Sequence, residues 1–212
     1  MKTYKTKKDK HDFRPFDLSI KPIRNYTENL YEWCVEFDES CKYNLNNKDQ
    51  DSWNKGGGIG NYFSFNSKNS VRWVWRYSLT EKKIEIGFYF KDDEGDTDYF
   101  SSTFIEFNKP YIITITLENR IDNILTAVYE KIVGPSAEPG VKGSTYTLKN
   151  KSYHDLSFEY NTKVGMKKFF ESRYFRRLGL YFGGQSPAPH IMKAKVDFDI
   201  FDKTLAGYEY YL

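Results

Sequence analysis

The sequence predicts an all-β protein, a sandwich or jelly roll of two antiparallel sheets. Three observations carry this. Apolar and polar residues alternate with period two along much of the chain, so one face of each strand points inward and the other outward. Aromatics make up 18% of the 212 residues, with 18 Tyr and 17 Phe, and such side chains favour pleated, half-buried surfaces. No strand–helix–strand rhythm breaks the alternation, and roughly ten to thirteen short strands in a chain of this size read as a sandwich.

Residues 1–12 are Lys-rich and polar, and read as a basic N-terminal arm, either a solvated tail or a segment that docks onto a protein partner in an assembly. Residues 13–212 then form one sandwich domain. "SVRWVWRY" places Val71, Trp73, Trp75 and Tyr77 on one face, with Arg72, Val74 and Arg76 on the other. "KIEIGFYFK" turns Ile84, Ile86, Phe88 and Phe90 inward, leaving Glu85, Gly87 and Tyr89 opposite, and Ser78–Lys82 joins the two as a hairpin. "YIITITLE" and "ILTAVYEKI" form a second pair around 119–123. In "HIMKAKVDFDIF", Met192, Ala194, Val196, Phe198 and Ile200 alternate with Lys193, Lys195, Asp197 and Asp199, so that strand has one buried and one wet face. Loops fall at 91–98 and 134–140, and residues 165–175 have the nearest approach to a helical pattern.

Charge is nearly balanced, at +3, and no nucleic-acid signature accompanies it. The basic-aromatic run "MKKFFESRYFRRLGLYF" is broken by Glu171 and reads as a solvated face. The N-terminus lacks the apolar core of a secretory signal, and no stretch approaches ~20 apolar residues. The chain is therefore expected to be cytoplasmic on synthesis, with no membrane partner. Cys34 and Cys41 are too few for a zinc site and read as two reduced, partly buried thiols rather than a disulfide. No metal or cofactor is expected.

"DQDSWNKGGGIG", "NSVRWVWRY" and "YFGGQSPAPH" together resemble the concanavalin A-like lectin/glucanase sandwich. More narrowly, they resemble short, uncharacterised β-sandwich proteins of gut-type bacteria and of the tailed phages that infect them. The resemblance covers residues ~40–200. It implies a concanavalin A-like (jelly-roll) fold, no assigned chemistry, and a virion as one eventual address.

Several constellations offer candidate chemistry. Retaining glycosidases need two carboxylates about 5–5.5 Å apart. The family pattern Glu-x-Asp-x-x-Glu has its nearest match at Glu36-Phe37-Asp38, but position 41 is Cys; Asp197 and Asp199 share a Lys-rich face without a glutamate acid. A lyase would draw on Arg72, Arg76, Tyr181 and His190, yet the Gln-x-His triplet of alginate-lyase sandwiches is missing. The simpler reading pairs the arginines with Glu85 and stacks them on Tyr89. The acidic loop Asp92, Asp93, Glu94, Asp96 and Asp98 lacks the EF-hand register. Gly56, Gly57, Gly58 and Gly60 are followed by a strand rather than a helix, so they suit a bulge or tight bend better than a phosphate cradle.

Glycan binding needs an aromatic platform flanked by amide and charged hydrogen-bonders. Trp53, Asn54, Asn61, Asn69, Arg72, Arg76, Tyr89, Tyr181 and Gln185 supply that chemistry, whereas Trp73 and Trp75 share the apolar phase and belong to the core. In "LGLYFGGQSPAPHI", Leu178, Leu180 and Phe182 are expected to be buried. Gly183 and Gly184 end the strand where a side chain would obstruct. His190 is expected to be a hydrogen-bonded plug, which leaves Gln185 at the loop's open edge. The function expected is a non-catalytic interaction or structural module, a capsid- or tail-associated component of a phage particle, with the concave face as a candidate glycan site. The alternatives are a polysaccharide lyase or glycoside hydrolase, and a bacterial lectin.

Overall fold

The structure, a computed structural model, describes residues 1–14, 23–24, 30–61, 68–92, 97–117, 124–130, 132–133, 146–147 and 174–197. Fourteen strands run through them: β1 (Lys2–Thr6), β2 (Phe13–Arg14), β3 (Ile23–Arg24), β4 (Leu30–Phe37), β5 (Asn54–Asn61), β6 (Ser70–Ser78), β7 (Lys83–Lys91), β8 (Thr97–Ile105), β9 (Tyr111–Leu117), β10 (Ile124–Glu130), β11 (Ile132–Val133), β12 (Tyr146–Thr147), β13 (Tyr174–Leu178) and β14 (Met192–Asp197). They build two six-stranded antiparallel sheets, in the orders β10-β9-β4-β14-β1-β2 and β3-β13-β5-β6-β7-β8, with β11 and β12 as a separate pair. Four strands have two residues each, which is why the alternation suggested fewer. Two 3₁₀ turns, Glu39–Cys41 and Lys48–Asp51, are the helical elements among the described residues. Asp38 and Asn47 cap them by accepting from the backbone N–H groups of Ser40 and Asp49.

The two sheets close on one core. Trp73, Trp75, Ile84 and Ile86 from one sheet meet Phe37, Val35, Ile113, Met192 and Val196 from the other. Phe37 touches both tryptophans, edge-on to Trp73 at 6.4 Å and tilted on Trp75 at 5.0 Å between ring centroids. Both indoles are fully buried, as their phase predicted, and truncating either to Ala costs about 3–5 kcal/mol. The hairpin β6–β7 has the expected register, from Ser70 opposite Lys91 to Ser78 opposite Lys83. Lys82, at φ 53°, donates its N–H to Ser78 O at 2.9 Å to close it. The pair β9–β10 is likewise antiparallel, and β14 alternates buried and exposed residues from Met192 to Lys195.

Two expectations are corrected. Residues 2–6 are a strand of the sandwich rather than part of a separate arm. β1 lies between β14 and β2, with Tyr4 and Thr6 buried, because apolar Tyr4 and small Thr6 share the inward phase while Thr3 and Lys5 alternate outward; Lys2, in the inward phase, is exposed at the strand's start. Residues 9–11 are tied to the loop before β14, through Asp9 N–H to Ala188 O at 2.8 Å and Phe182 N–H to His11 O at 2.7 Å. The glycine run is itself strand β5, with a register shift between Lys55 and Gly58; Gly56 is needed because a Cβ there would lie 1.9 Å from the Trp73 ring. In its sheet β14 lies between β4 and β1.

Cys34 and Cys41 are both fully buried thiols. The Cys41 Sγ–H donates to Lys193 O at 3.2 Å, and burial pushes its pKa well above the usual thiol range. The turn at 119–123, the loops 93–96 and 134–140, the segment 165–173 and the acidic Asp199 lie outside the described residues.

Candidate functional site

Directly opposed residues of antiparallel strands share a face, so the register builds the site. On the outer face of the β3–β8 sheet, Tyr181 bridges to Lys55, Lys55 pairs with Val74, Val74 with Gly87, and Gly87 with Ser102. That row crosses the sheet. On one side of it Arg76 faces Glu85, and on the other Arg72 faces Tyr89.

Gly87 is the gap in this face, and the Trp53 indole fills it. A Cβ at position 87 would lie 2.8 Å from Trp53 Cη2. Trp53 itself precedes β5 and is half-buried. The Arg76 guanidinium stacks on its ring, 4.2 Å from the centroid. Arg76 is held in turn by Glu85, with Nε donating to Oε2 at 2.7 Å, and by the Asp51 carbonyl, which accepts from Nη1 at 2.8 Å. Ser102 Oγ–H donates to the other Glu85 oxygen at 2.6 Å. The arginine thus pairs with Glu85 as expected but stacks on Trp53 rather than on Tyr89.

At the other end of the row the site is cationic. The Lys55 ammonium lies 5.4 Å from the Tyr181 ring centroid, and His11 stacks on Tyr181 at 5.1 Å and 10°. The His11 Nδ1–H donates to Phe182 O at 2.8 Å. Arg72 is 4% exposed and donates from Nη2 to Gly179 O at 2.8 Å. Its Nε–H is buried and finds no acceptor among the described residues. Burial, then the positive charges of Arg72 and Lys91, lower the pKa of Lys55 below the ordinary lysine value.

The candidates named from the sequence divide accordingly. Trp53, Arg72, Arg76, Tyr89 and Tyr181 do share this outer face, but Arg72 and Tyr89 lie beneath it, buried. Asn54 is a correction. It pairs with Trp75 and points into the core, with Nδ2 donating to Tyr43 Oη at 2.9 Å and Oδ1 accepting from Gly183 N–H at 2.7 Å. Asn69 is buried at φ 52°, a left-handed conformation that asparagine tolerates. Its carbonyl accepts from Asn61 N–H at 2.8 Å, so these two asparagines shape the chain entering β6.

Gln185 is exposed, on a loop that Asp49 clamps by accepting from Ser186 N–H at 2.8 Å and Ser186 Oγ–H at 2.7 Å. Gly183 is required there, because a Cβ would lie 2.0 Å from Trp53 O. His190 is the plug expected, with Nε2 2.8 Å from the Ser40 carbonyl, and is half-buried in the loop before β14.

Lys55 was missed from sequence. Its outward phase was legible from Asn54 onward had the glycine run been treated as a strand, but three glycines carry no side chain to display alternation. The carboxylates closest to a glycosidase pattern are otherwise employed. Glu36 accepts from Lys195 Nζ at 2.6 Å, and Asp38 caps its 3₁₀ turn. Among the described residues no three His, Cys, Asp or Glu side chains gather as metal ligands, and no helix is long and apolar enough to cross a membrane. No protein-family model and no curated protein matches the sequence.

Proposed function

We propose that this chain is a non-catalytic, concanavalin A-like sandwich module that binds a glycan across the outer face of its β3–β8 sheet. The observation that carries the proposal is Trp53. It is a half-buried indole seated over Gly87, backed by a guanidinium that is itself fixed by Glu85 and the Asp51 carbonyl. A ring immobilised in advance loses little entropy when a sugar stacks on it, and polar groups at its edge supply direction. Arg76 and Lys55 on that sheet, and Tyr181 bridged to Lys55, are its half-exposed polar neighbours.

The enzyme alternatives have less to stand on. His190 engages Ser40, whereas Arg72 opposes Tyr89 on β6 and β7 and Tyr181 bridges to Lys55, so the lyase set is not gathered. Residence in a phage particle rests on the sequence resemblance alone, since residues 2–6 are committed to a sheet; absence from purified particles by mass spectrometry would refute it. A glycan array with a Trp53→Ala control tests the binding proposal. Signals lost in the variant support it, and a wild-type array without signals ends it.

A further inference from the structure

We propose that the glycan is acidic, and that Lys55 and Arg72, beside Tyr181, receive the carboxylate of a uronate unit. This rests on the glycan reading above and assigns its ligand class. The case begins with like charges placed together. Lys55 sits on β5, and the charges acting on it are those of Arg72 and Lys91, both positive. Such a grouping disfavours the charged lysine unless an anion joins it. Neither Lys55 nor Arg72 meets a carboxylate within ion-pair distance among the described residues. Of the acids on this face, Glu85 is occupied at both oxygens by Arg76 and Ser102, and the exposed Asp12, which also bridges to Tyr181, forms no ion pair with Lys55 or Arg72.

A second, independent feature is the buried Arg72 Nε–H. Nη2 of that guanidinium is anchored by the Gly179 carbonyl, and a buried donor left unmatched carries an uncompensated desolvation cost. A carboxylate entering beside Lys55, with a small displacement of the Gly179 segment, supplies the missing acceptor and compensates the charge. Arg72 Nε–H and the Lys55 ammonium would then donate to its two oxygens.

The geometry also favours a sugar acid over an isolated anion. Trp53 lies over Gly87 on β7, and Lys55 is on β5. Two strand spacings separate them, roughly 10 Å, so one oligosaccharide spans both, with one ring on the indole and a carboxylate at the lysine.

The test is calorimetry of the full chain with three probes of equal length: an oligouronide, a neutral oligosaccharide and a sulfated oligosaccharide. The oligouronide is expected to bind about tenfold or more tightly than the neutral sugar, with affinity falling as salt rises. Lys55→Gln is expected to cost the oligouronide about tenfold, and Lys55→Arg to restore most of it. Circular dichroism of each variant checks that the sandwich is intact. Equal affinity for neutral and acidic probes overturns the uronate assignment and leaves the glycan reading standing. A preference for the sulfated probe overturns the carboxylate in favour of another anion. Binding of none of the three overturns both.

Discussion

Asn54, a sugar-binding candidate by its amide chemistry, is by its geometry a clamp between the core and the loop over the site. Replacing it with alanine removes the acceptor of the Gly183 N–H and the donor to Tyr43 Oη. The Gly183 N–H is buried, so its desolvation goes uncompensated at about 1–3 kcal/mol. The bond to Tyr43 adds about 1 kcal/mol, since Tyr43 Oη keeps the Tyr77 N–H as a partner. The expected loss is roughly 2–4 kcal/mol. Equilibrium urea unfolding reads this as a midpoint lowered by about 1 M with an unchanged slope. A loss under about 0.5 kcal/mol, the range of an ordinary surface change, would refute the clamp. An affinity change at unchanged stability would return Asn54 to the ligand-binding group.

Gly183→Ala places a Cβ 2.0 Å from the Trp53 carbonyl and is expected to cost about 3 kcal/mol, whereas Gly179→Ala meets nothing within 4 Å and should stay within about 0.5 kcal/mol; thermal melts compare the two. A double-mutant cycle of Arg76→Ala and Glu85→Ala is expected to show about 1 kcal/mol of coupling, with a shift in Trp53 fluorescence in each single variant; additive losses would contradict the stacked pair. Both thiols should react with Ellman's reagent after unfolding and hardly at all before it, because Cys34 and Cys41 are buried and the Cys41 pKa is raised; rapid labelling of the native protein would contradict this. Asp49 is held below the usual carboxylate range chiefly by the Ser186 hydroxyl. Its contribution is therefore fully present above the unfolded value of about 3.9 and disappears as pH falls through the lowered folded value, so the protection factor of the Ser186 amide, the unfolded chain's exchange rate at the same pH divided by its own, should fall in that acid window.

Alternation revealed most of the sandwich. Residues 70–91 gave their hairpin, faces and core tryptophans because two strands of nine residues display a full period-two pattern. Arg76, Glu85 and Trp53 were legible as chemistry, yet their association depends on Gly87, whose missing side chain has meaning only once Trp53 is seen above it. Asn54 and Lys55 exchanged roles for a similar reason. Glycines hid the phase of β5, and its bulge shifts the register between Lys55 and Gly58. The first strand escaped notice because five residues with three exposed positions look like a polar tail; its pairing with β14, distant in sequence, cannot be read locally. The cationic end of the site needed the Lys55–Tyr181 bridge, a contact across more than a hundred residues of chain.

The central claim is that the outer face binds a glycan and leaves it unchanged. Proton NMR of an array-selected oligosaccharide mixed with the protein measures both parts together. The account expects sugar signals that broaden on addition of the wild type, not of Trp53→Ala, and an anomeric region identical after a day. New reducing-end or unsaturated-sugar signals, or broadening that Trp53→Ala retains in full, would contradict it.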